Sequence, residues 1–312
     1  MSTLPLNISR KAAEHSTLLL LILVVVLFGS LGEGFLTMRN FVNILIQVSG
    51  LTIVAAGMTL VLITAGIDLS VGSIMFLAGV VSGKLVDGGL SIWLAMPAIL
   101  LVGAGMGFVN GLSIVRFRII PFIVTLATLY MGRGLGLYIS ETRAVNLPDS
   151  FLAIGSLKIM GIPLPVIIMV AVLLVLHLLL TRTPFGRQLY AIGNSRVKSE
   201  KAGIRVSSLL LKVYVISGLC AAIGGFVAIA QLGAVSPSFG SQSEFTAIAA
   251  AVLGGTSLFG GRGAVFPGTF IGALLIQTIQ NGLVIINADP YLYPLITASL
   301  IFFIVLIDSR HR

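Results

Sequence analysis

The sequence predicts an all-α membrane protein, a bundle of about ten transmembrane helices of which some are short or broken. Of its 312 residues, 57% are hydrophobic and only 9% are charged, whereas about a quarter of the residues in a soluble domain are charged. Long uncharged stretches separate the charged residues, and most provide the roughly 20 apolar residues that a membrane-spanning helix needs. The alternating segments of a membrane β-barrel are absent, so helices must satisfy the backbone hydrogen bonds in lipid.

The uncharged stretches give the predicted helices in chain order. The first run, 16–32, follows Arg10 and Lys11 as the apolar part of a signal peptide would, but further apolar runs follow, so it is predicted to be the first membrane helix. The run 119–140 forms one helix if Arg133 lies inside it, and Gly233–Ser243 is predicted to be a loop. The ten stretches are 15–32, 40–67, 69–83, 88–115, 119–140, 159–181, 213–243 without its terminal loop, 245–261, 263–288 and 290–307.

The distribution of the net charge of +9 predicts the membrane topology. With the N-terminus in the cytoplasm, fourteen Lys and Arg residues fall on the cytoplasmic side and four on the outer side, as the positive-inside rule requires. The basicity therefore indicates topology and not a nucleic-acid-binding surface. The predicted organisation is a cytoplasmic segment 1–15, a single transmembrane domain 16–308 and a cytoplasmic tail 309–312.

One long cytoplasmic connection, Arg182–Leu211, contains six of the nineteen cations and a single acidic residue. A solvated loop attracted to anionic lipid would need only the basic residues. Because apolar residues and glycines are interleaved with them, short amphipathic helices that dock to another protein are favoured.

Two glycine-rich segments, Ala65–Ser73 and Gly254–Arg262, are predicted to interrupt helices at the inner side of the membrane. They match weakly at an offset of 189 residues. Paired interruptions of this kind often mark the translocation pathway of a transporter. The alternative is that these glycines only permit tight turns and close approach of helices.

Two charged residues near or within the membrane have more than one interpretation. Asp68 is either a proton-coupling carboxylate or, as the favoured reading, a cap for a helix that begins at Leu69, with Ser70 nearby. Arg133 lies in a predicted turn at 131–136. We expect it to meet a carboxylate or the terminal carbonyl groups of a broken helix.

The uncharged polar residues in the apolar stretches each form hydrogen bonds to a neighbouring helix, or together line a path for a neutral, hydroxyl-rich solute. Amide groups suit the second role because they donate and accept without a counter-charge. The candidate pathway residues are Asn43, Gln47, Asp68, Ser70, Asn110, Thr128, Thr256, Gln277, Gln280 and Asn281.

Several chemistries are excluded by their motifs. The chain has no phosphate-binding loop and no H-E-x-x-H metal motif, and its single cysteine, Cys220, excludes a disulfide within the chain. We therefore predict that the chain is not an enzyme and carries no catalytic residue, metal site or cofactor of its own.

Nine blocks follow one another along the sequence: Asn43–Gln47, Gly57–Leu62, Gly66–Ser73, Phe185–Arg187, Tyr190–Gly193, Ala202–Ile204, Ala247–Ser257, Gly260–Gly263 and Asn281–Leu283. Together they resemble the permease subunit of ribose-type bacterial ABC sugar importers. The resemblance covers roughly residues 35–308, and the order of the blocks makes it more specific than any one glycine motif. One departure is Asn194, where many relatives have a second glycine.

The resemblance implies a multi-pass protein of the bacterial inner membrane that imports a pentose or hexose monosaccharide by alternating access. Its partners would be cytoplasmic ABC ATPase subunits that bind ATP and Mg, a periplasmic or lipoprotein sugar-binding protein, a second permease copy or paralogue, and the membrane lipid around the permease. The loop 182–208 would couple the ATPase to transport. The coupling residues would be Phe185, Gly186, Arg187, Tyr190, Gly193, Gly203 and Ile204.

Two alternatives belong to other classes of protein. A proton-coupled secondary transporter would use Asp68 and work without an ATPase. A membrane scaffold without transport activity would tolerate apolar residues at the polar positions within the membrane.

Overall fold

The computed structural model describes residues 6–296 together with Ala298, Ser299 and Phe302. The structure is mostly α-helical, as predicted, with very little β-strand. The helices are α1 (Leu6–Leu31), α2 (Met38–Ile63), α3 (Val71–Asp87), α4 (Ile92–Arg116), α5 (Pro121–Ser140), α6 (Asp149–Ser156), α7 (Leu164–Arg182), α8 (Pro184–Asn194), α9 (Arg196–Lys201), α10 (Val206–Leu232), α11 (Ser243–Leu253) and α12 (Phe270–Ile285).

Six helical segments of the described residues are long and apolar enough to cross a membrane: α2, α4, α5, α7, α10, and α12 with the wide turn Val265–Thr269 before it. The apolar part of α1, Thr17–Leu31, and α11 are shorter, and α3 has 17 residues. These helices confirm an all-α membrane protein. The predicted stretch 290–307 lies largely outside the described residues, as do residues 1–5 and the tail 309–312.

Helices α2 and α10 form the centre of the bundle. In the most apolar 18-residue segment of each helix, 78% of the residues of α2 and 72% of those of α10 are buried, against 22% of those of α4. The side chains of α4 therefore largely face outward. Glycines allow α4 and α10 to approach each other closely: a Cβ atom at Gly103 or Gly107 would collide with the carbonyl oxygen of Gly218 or Tyr214. Small residues at such positions are typical of packed membrane helices.

The prediction of a turn at 131–136 is wrong, because α5 continues through Arg133 to Ser140. Glycines in this segment serve helix packing instead. A Cβ atom at Gly132 would lie 2.9 Å from the Ser73 side chain, and one at Gly136 would collide with the ring of Phe76. They therefore let α5 lie against α3.

Other helix boundaries also differ from the uncharged stretches. Helix α3 begins at Val71 and not at Leu69, and α10 begins at Val206, seven residues before the predicted stretch. The uncharged stretch stops at Lys212 because this residue is charged, but Lys212 is exposed, so the helix continues past it. Of the two predicted breaks, Gly254–Arg262 is non-helical throughout, whereas Ala65–Ser73 is non-helical only up to Ser70, because Val71–Ser73 belong to α3. Helices α8 and α9 lie within the predicted loop 182–208.

The segment between α5 and α7 contains elements that the sequence analysis missed. Besides α6, two short strands, β1 (Val145–Asn146) and β2 (Lys158–Ile159), lie here. Strand β1 pairs antiparallel with β4 (Ala234–Val235), and β2 pairs with β3 (Ile162–Pro163). The first pair joins this segment to the end of α10.

Candidate functional site

The break between α2 and α3 holds a buried carboxylate. Asp68 is 0% exposed. Its Oδ1 atom accepts hydrogen bonds from the Ser70 backbone N–H at 3.0 Å and the Ser70 hydroxyl at 2.6 Å, and its Oδ2 atom accepts one from the Ser217 hydroxyl at 2.8 Å. Three donors therefore meet one carboxylate.

Two further bonds extend this network across the bundle. The Asn110 side-chain nitrogen donates to the Ser70 hydroxyl at 2.8 Å, and the Thr128 hydroxyl donates to the Asn110 side-chain oxygen at 2.7 Å. We call Asp68, Ser70, Asn110, Thr128 and Ser217 the buried polar cluster. It joins the α2–α3 break to α4, α5 and α10, and all five residues are buried.

The role predicted for Asp68 as a helix cap needs correction. The residue before the first helical residue of α3 is Ser70, whose side chain makes no capping bond. Asp68 instead accepts the Ser70 backbone N–H two residues further on, so it stabilises the turn that leads into α3. The carboxylate has hydrogen-bond partners on both of its oxygens, which is what a buried ionised group requires.

The Arg133 side chain donates hydrogen bonds to backbone carbonyl oxygens. Its Nη1 atom donates to the backbone oxygens of Phe239 at 2.6 Å and Pro237 at 3.3 Å. Its guanidinium carbon also lies 4.8 Å from the centroid of the Phe76 ring, in a cation–π contact. These carbonyl groups belong to the predicted loop Gly233–Ser243 and not to the end of a broken helix.

The amphipathic helix α8 has one face buried against the rest of the protein. Gly186, Leu189 and Ile192 are buried on that face, and Pro184 provides the fixed φ angle that suits the first turn of a helix. The opposite side and the neighbouring turns expose basic residues. Those exposed are Arg182, Arg187, Arg196, Lys198, Lys201 and Arg205.

Helix α8 contacts the backbone at or beside both glycine-rich breaks through Tyr190 and Gly193, which are half-buried. A Cβ atom at Gly193 would collide with the Ile63 carbonyl oxygen and the Gly261 nitrogen, and the Gly261 N–H donates to that same Ile63 oxygen at 2.9 Å. The Tyr190 hydroxyl donates to the Gly263 carbonyl oxygen at 2.7 Å. Burial raises the pKa of the Tyr190 phenol. We call this contact region the α8 junction.

The remaining predicted coupling residues have different environments. Phe185 and Ile204 are half-buried and pack against the core, whereas Arg187 is exposed. A Cβ atom at Gly186 would collide with the Leu180 carbonyl group at the end of α7. Gly203 has open space around it but a φ of +81°, so its backbone conformation, at the turn from α9 to α10, favours glycine.

The candidate pathway residues do not form one continuous group. Four of them belong to the buried polar cluster. Asn43 and Gln47 are exposed on α2 and line a cavity of about 550 Å³, and Gln277 donates to the Gln47 side-chain oxygen at 2.9 Å. Asn281 is buried and accepts a hydrogen bond from Asn40 at 2.9 Å.

The last two candidate pathway residues lie apart from these groups. Thr256 is buried at the second glycine-rich break, and its hydroxyl has no hydrogen-bond partner among the described residues. Gln280 is half-buried on α12.

Several residues of these sites were missed by the sequence analysis. Ser217 completes the buried polar cluster, and Gln231, Asp149 and Ser156 line the cavity beside Asn43. Ser217 lies 149 residues from Asp68 in the sequence, within an apolar stretch, so no local signal marks it. Asp149 begins a helix whose eight residues are too few for a clear periodic pattern.

Comparison with known proteins gives a consistent result. Residues 40–307 match the family described as "Branched-chain amino acid transport system / permease component". The chain is 39% identical to the D-allose transport system permease protein AlsC of Escherichia coli strain K12, over 97% of this chain and 94% of that protein.

Two other relatives extend the comparison. The chain is 35% identical to the ribose import permease protein RbsC of Haemophilus influenzae, over 97% of this chain and 95% of that protein. It is also 35% identical to the fructose import permease protein FrcC of Rhizobium meliloti, over 95% and 85%. No solved structure matches the chain significantly.

Proposed function

The chain belongs to the family of ABC importer permeases that includes ribose, allose and fructose permeases, and on that premise we propose that it imports a monosaccharide. In this proposal the chain is the membrane subunit and moves a pentose or hexose across the bacterial inner membrane by alternating access. The observation that carries the proposal is the identity of 35% to 39% with sugar permeases over almost the whole chain.

The proposed partners follow from the same family. Cytoplasmic ATPase subunits would bind ATP and Mg and dock on the exposed basic side of the 182–208 loop. A periplasmic or lipoprotein sugar-binding protein would deliver the sugar from outside, and a second permease copy or paralogue would complete the membrane part.

The proposed topology completes this picture. Ten helices would cross or enter the membrane, with both termini in the cytoplasm. Residues 16–308 would form the single transmembrane domain. This arrangement places the α8 junction inside and the cavity beside Asn43 outside.

The α8 junction supports the proposed coupling role. A helix that touches both glycine-rich breaks through backbone atoms can move the two breaks together, because backbone contacts leave little space to absorb a displacement. Closure of the ATPases would then shift α8, and α8 would shift the ends of α2 and α11. The coupling residues proposed are the seven named from the resemblance.

The alternative of a proton-coupled transporter gains no support from the relatives. Asp68, the residue on which it depends, is occupied by three hydrogen-bond donors. We therefore expect transport to depend on ATP and not on a pH gradient.

The test is uptake of radiolabelled sugar into proteoliposomes that contain the chain with its ATPase and binding protein. Ribose, allose and fructose are the first sugars to try. We expect uptake with ATP and a wild-type ATPase, and none with an ATPase variant that cannot hydrolyse ATP. Uptake driven by a pH gradient without ATP would contradict the proposal, as would the absence of uptake for every monosaccharide tried.

A further inference from the structure

A groove lies at the end of the bundle that the proposed topology places outside the cell. It has a volume of about 550 Å³, within the range of roughly 300 to 1,000 Å³ that is typical of small-molecule sites. Helices α2, α10 and α6 form its walls. The polar side chains that line it are Asn43, Gln47, Asp149, Ser156 and Gln231, and we call it the outer groove.

The α6 wall of the outer groove is held firmly in place. A Cβ atom at Gly155 would collide with the Ala230 carbonyl oxygen, so α6 lies directly against the backbone of α10. Phe151 is 0% exposed, and the centroid of its ring lies 6.1 Å from the centroid of the Phe226 ring. The Leu147 N–H also donates to the Gly233 oxygen at 2.9 Å. The groove is therefore a built feature and not a gap beside a loose loop.

The polar groups in the outer groove have hydrogen-bonding capacity to spare. Asn43 and Gln47 are four residues apart on α2 and so lie on one face of that helix. The side chains of Asn43 and Asp149 make no hydrogen bond to another described residue. Gln47 uses only its oxygen, which accepts from Gln277, and Gln231 uses only its nitrogen, which donates to the Ile46 and Val227 carbonyl oxygens.

This set of groups matches one class of ligand. Amides both donate and accept, and a carboxylate accepts from two or more hydroxyls, so together they suit a solute rich in hydroxyl groups. Ile46 and Leu152 add apolar surface against which the C–H face of a sugar ring can pack. Among the described residues no Lys or Arg lines the groove, and Asp149 would repel an anion.

We propose that the outer groove is a binding site for a neutral, unphosphorylated monosaccharide, which it holds after release from the binding protein and before passage through the membrane. The proposal rests on the proposed function as a sugar importer. It adds a location, five side chains and a discrimination against sugar phosphates.

Cysteine labelling tests this proposal. The native Cys220 is buried, so we expect little background labelling. Two exposed serines of α6 make a matched pair: Ser156 lines the groove and Ser150 does not. In the assembled transporter, Ser156→Cys and Ser150→Cys are labelled from outside with a membrane-impermeant thiol reagent. We expect the transported sugar to slow labelling at Ser156→Cys by about fivefold, the effect expected from a single net hydrogen bond, and to leave Ser150→Cys unchanged. The corresponding sugar phosphate should protect neither.

A second measurement uses transport itself. Gln47→Ala and Asp149→Asn should each lower the maximal rate of sugar uptake by about fivefold, while Ser150→Ala should leave it unchanged.

Several outcomes would overturn the proposal. One is equal labelling of both cysteines with and without sugar in a transporter that imports it. Another is unchanged uptake in both groove variants. Cross-linking of Ser156→Cys between two permease copies without protection by sugar would show that the groove is a subunit interface. If the unmodified complex imports no sugar, the proposed function fails first, so the two failures are distinguishable.

Discussion

The buried polar cluster and the outer groove use the same kinds of chemical group for different purposes. Each of them contains one carboxylate, at least one amide and at least one serine hydroxyl. In the cluster each side chain is bonded to another member, from Thr128 to Ser217, whereas Asn43 and Asp149 in the groove have no hydrogen-bond partner among the described residues. The difference shows that residue type alone does not separate a structural network from a binding site. What separates them is whether the protein itself satisfies the groups.

The largest contrast is expected from the two carboxylates. Asp68→Ala leaves the Ser217 hydroxyl and the Ser70 N–H buried without an acceptor, so we expect the free energy of unfolding in detergent to fall by about 3 kcal/mol. Asp149→Ala removes an exposed side chain and should change it by less than about 0.5 kcal/mol. Denaturation of the purified variants, followed by circular dichroism, measures both. Equal stability of the two variants would contradict the distinction between the buried polar cluster and the outer groove.

The amides should give a smaller contrast of the same sign. Asn110 both donates to Ser70 and accepts from Thr128, so Asn110→Ala should cost about 2 kcal/mol of unfolding free energy. Asn43→Ala should leave stability within about 0.5 kcal/mol of the wild type. The same denaturation experiment serves, with sugar uptake as the second readout. If Asn43→Ala destabilises the protein as much as Asn110→Ala does, the groove is a structural network after all.

The smallest free-energy effect is expected at the α8 junction. This junction adjoins the buried polar cluster, because Ile63 leads directly into the break that holds Asp68. Gly193→Ala would place a methyl group against the Ile63 oxygen and the Gly261 nitrogen and should displace α8. We expect uptake per ATP hydrolysed to fall about tenfold, equivalent to roughly 1.4 kcal/mol, with the protein still inserted and the ATPase still active.

Gly134→Ala is the matched control for this change. Gly134 is also helical, and a Cβ atom there would meet nothing within 4 Å, so its uptake per ATP should equal that of the wild type. Full coupling in Gly193→Ala would show that the junction does not transmit movement.

How far the sequence predicts this structure depends on whether the signal is local. The long helices follow from uncharged stretches, and α8 follows from its mixture of apolar residues, glycines and cations. The turn predicted around Arg133 was wrong because the glycines there are also typical of a turn. In the structure, Gly132 and Gly136 instead pack against α3. The partnership of Asp68 with Ser217 joins residues 149 positions apart, and nothing near Ser217 in the sequence announces it.

Only part of the outer groove could be predicted, because only some of its residues have a local signal in the sequence. Asn43 and Gln47 are recognisable because they are amides within an apolar stretch. Their companions on α6 and α10 become neighbours only when the Gly155 backbone lies against Ala230, and that contact is a property of the folded chain.

The buried polar cluster also has a direction. Thr128 donates to Asn110, Asn110 to Ser70, and both Ser70 and Ser217 to Asp68, so each of these bonds runs toward the one carboxylate. The donors therefore approach the carboxylate from two sides, with Ser70 on its Oδ1 atom and Ser217 on its Oδ2 atom. The converging bonds thus tie the α2–α3 break to α4, α5 and α10 through a single buried carboxylate.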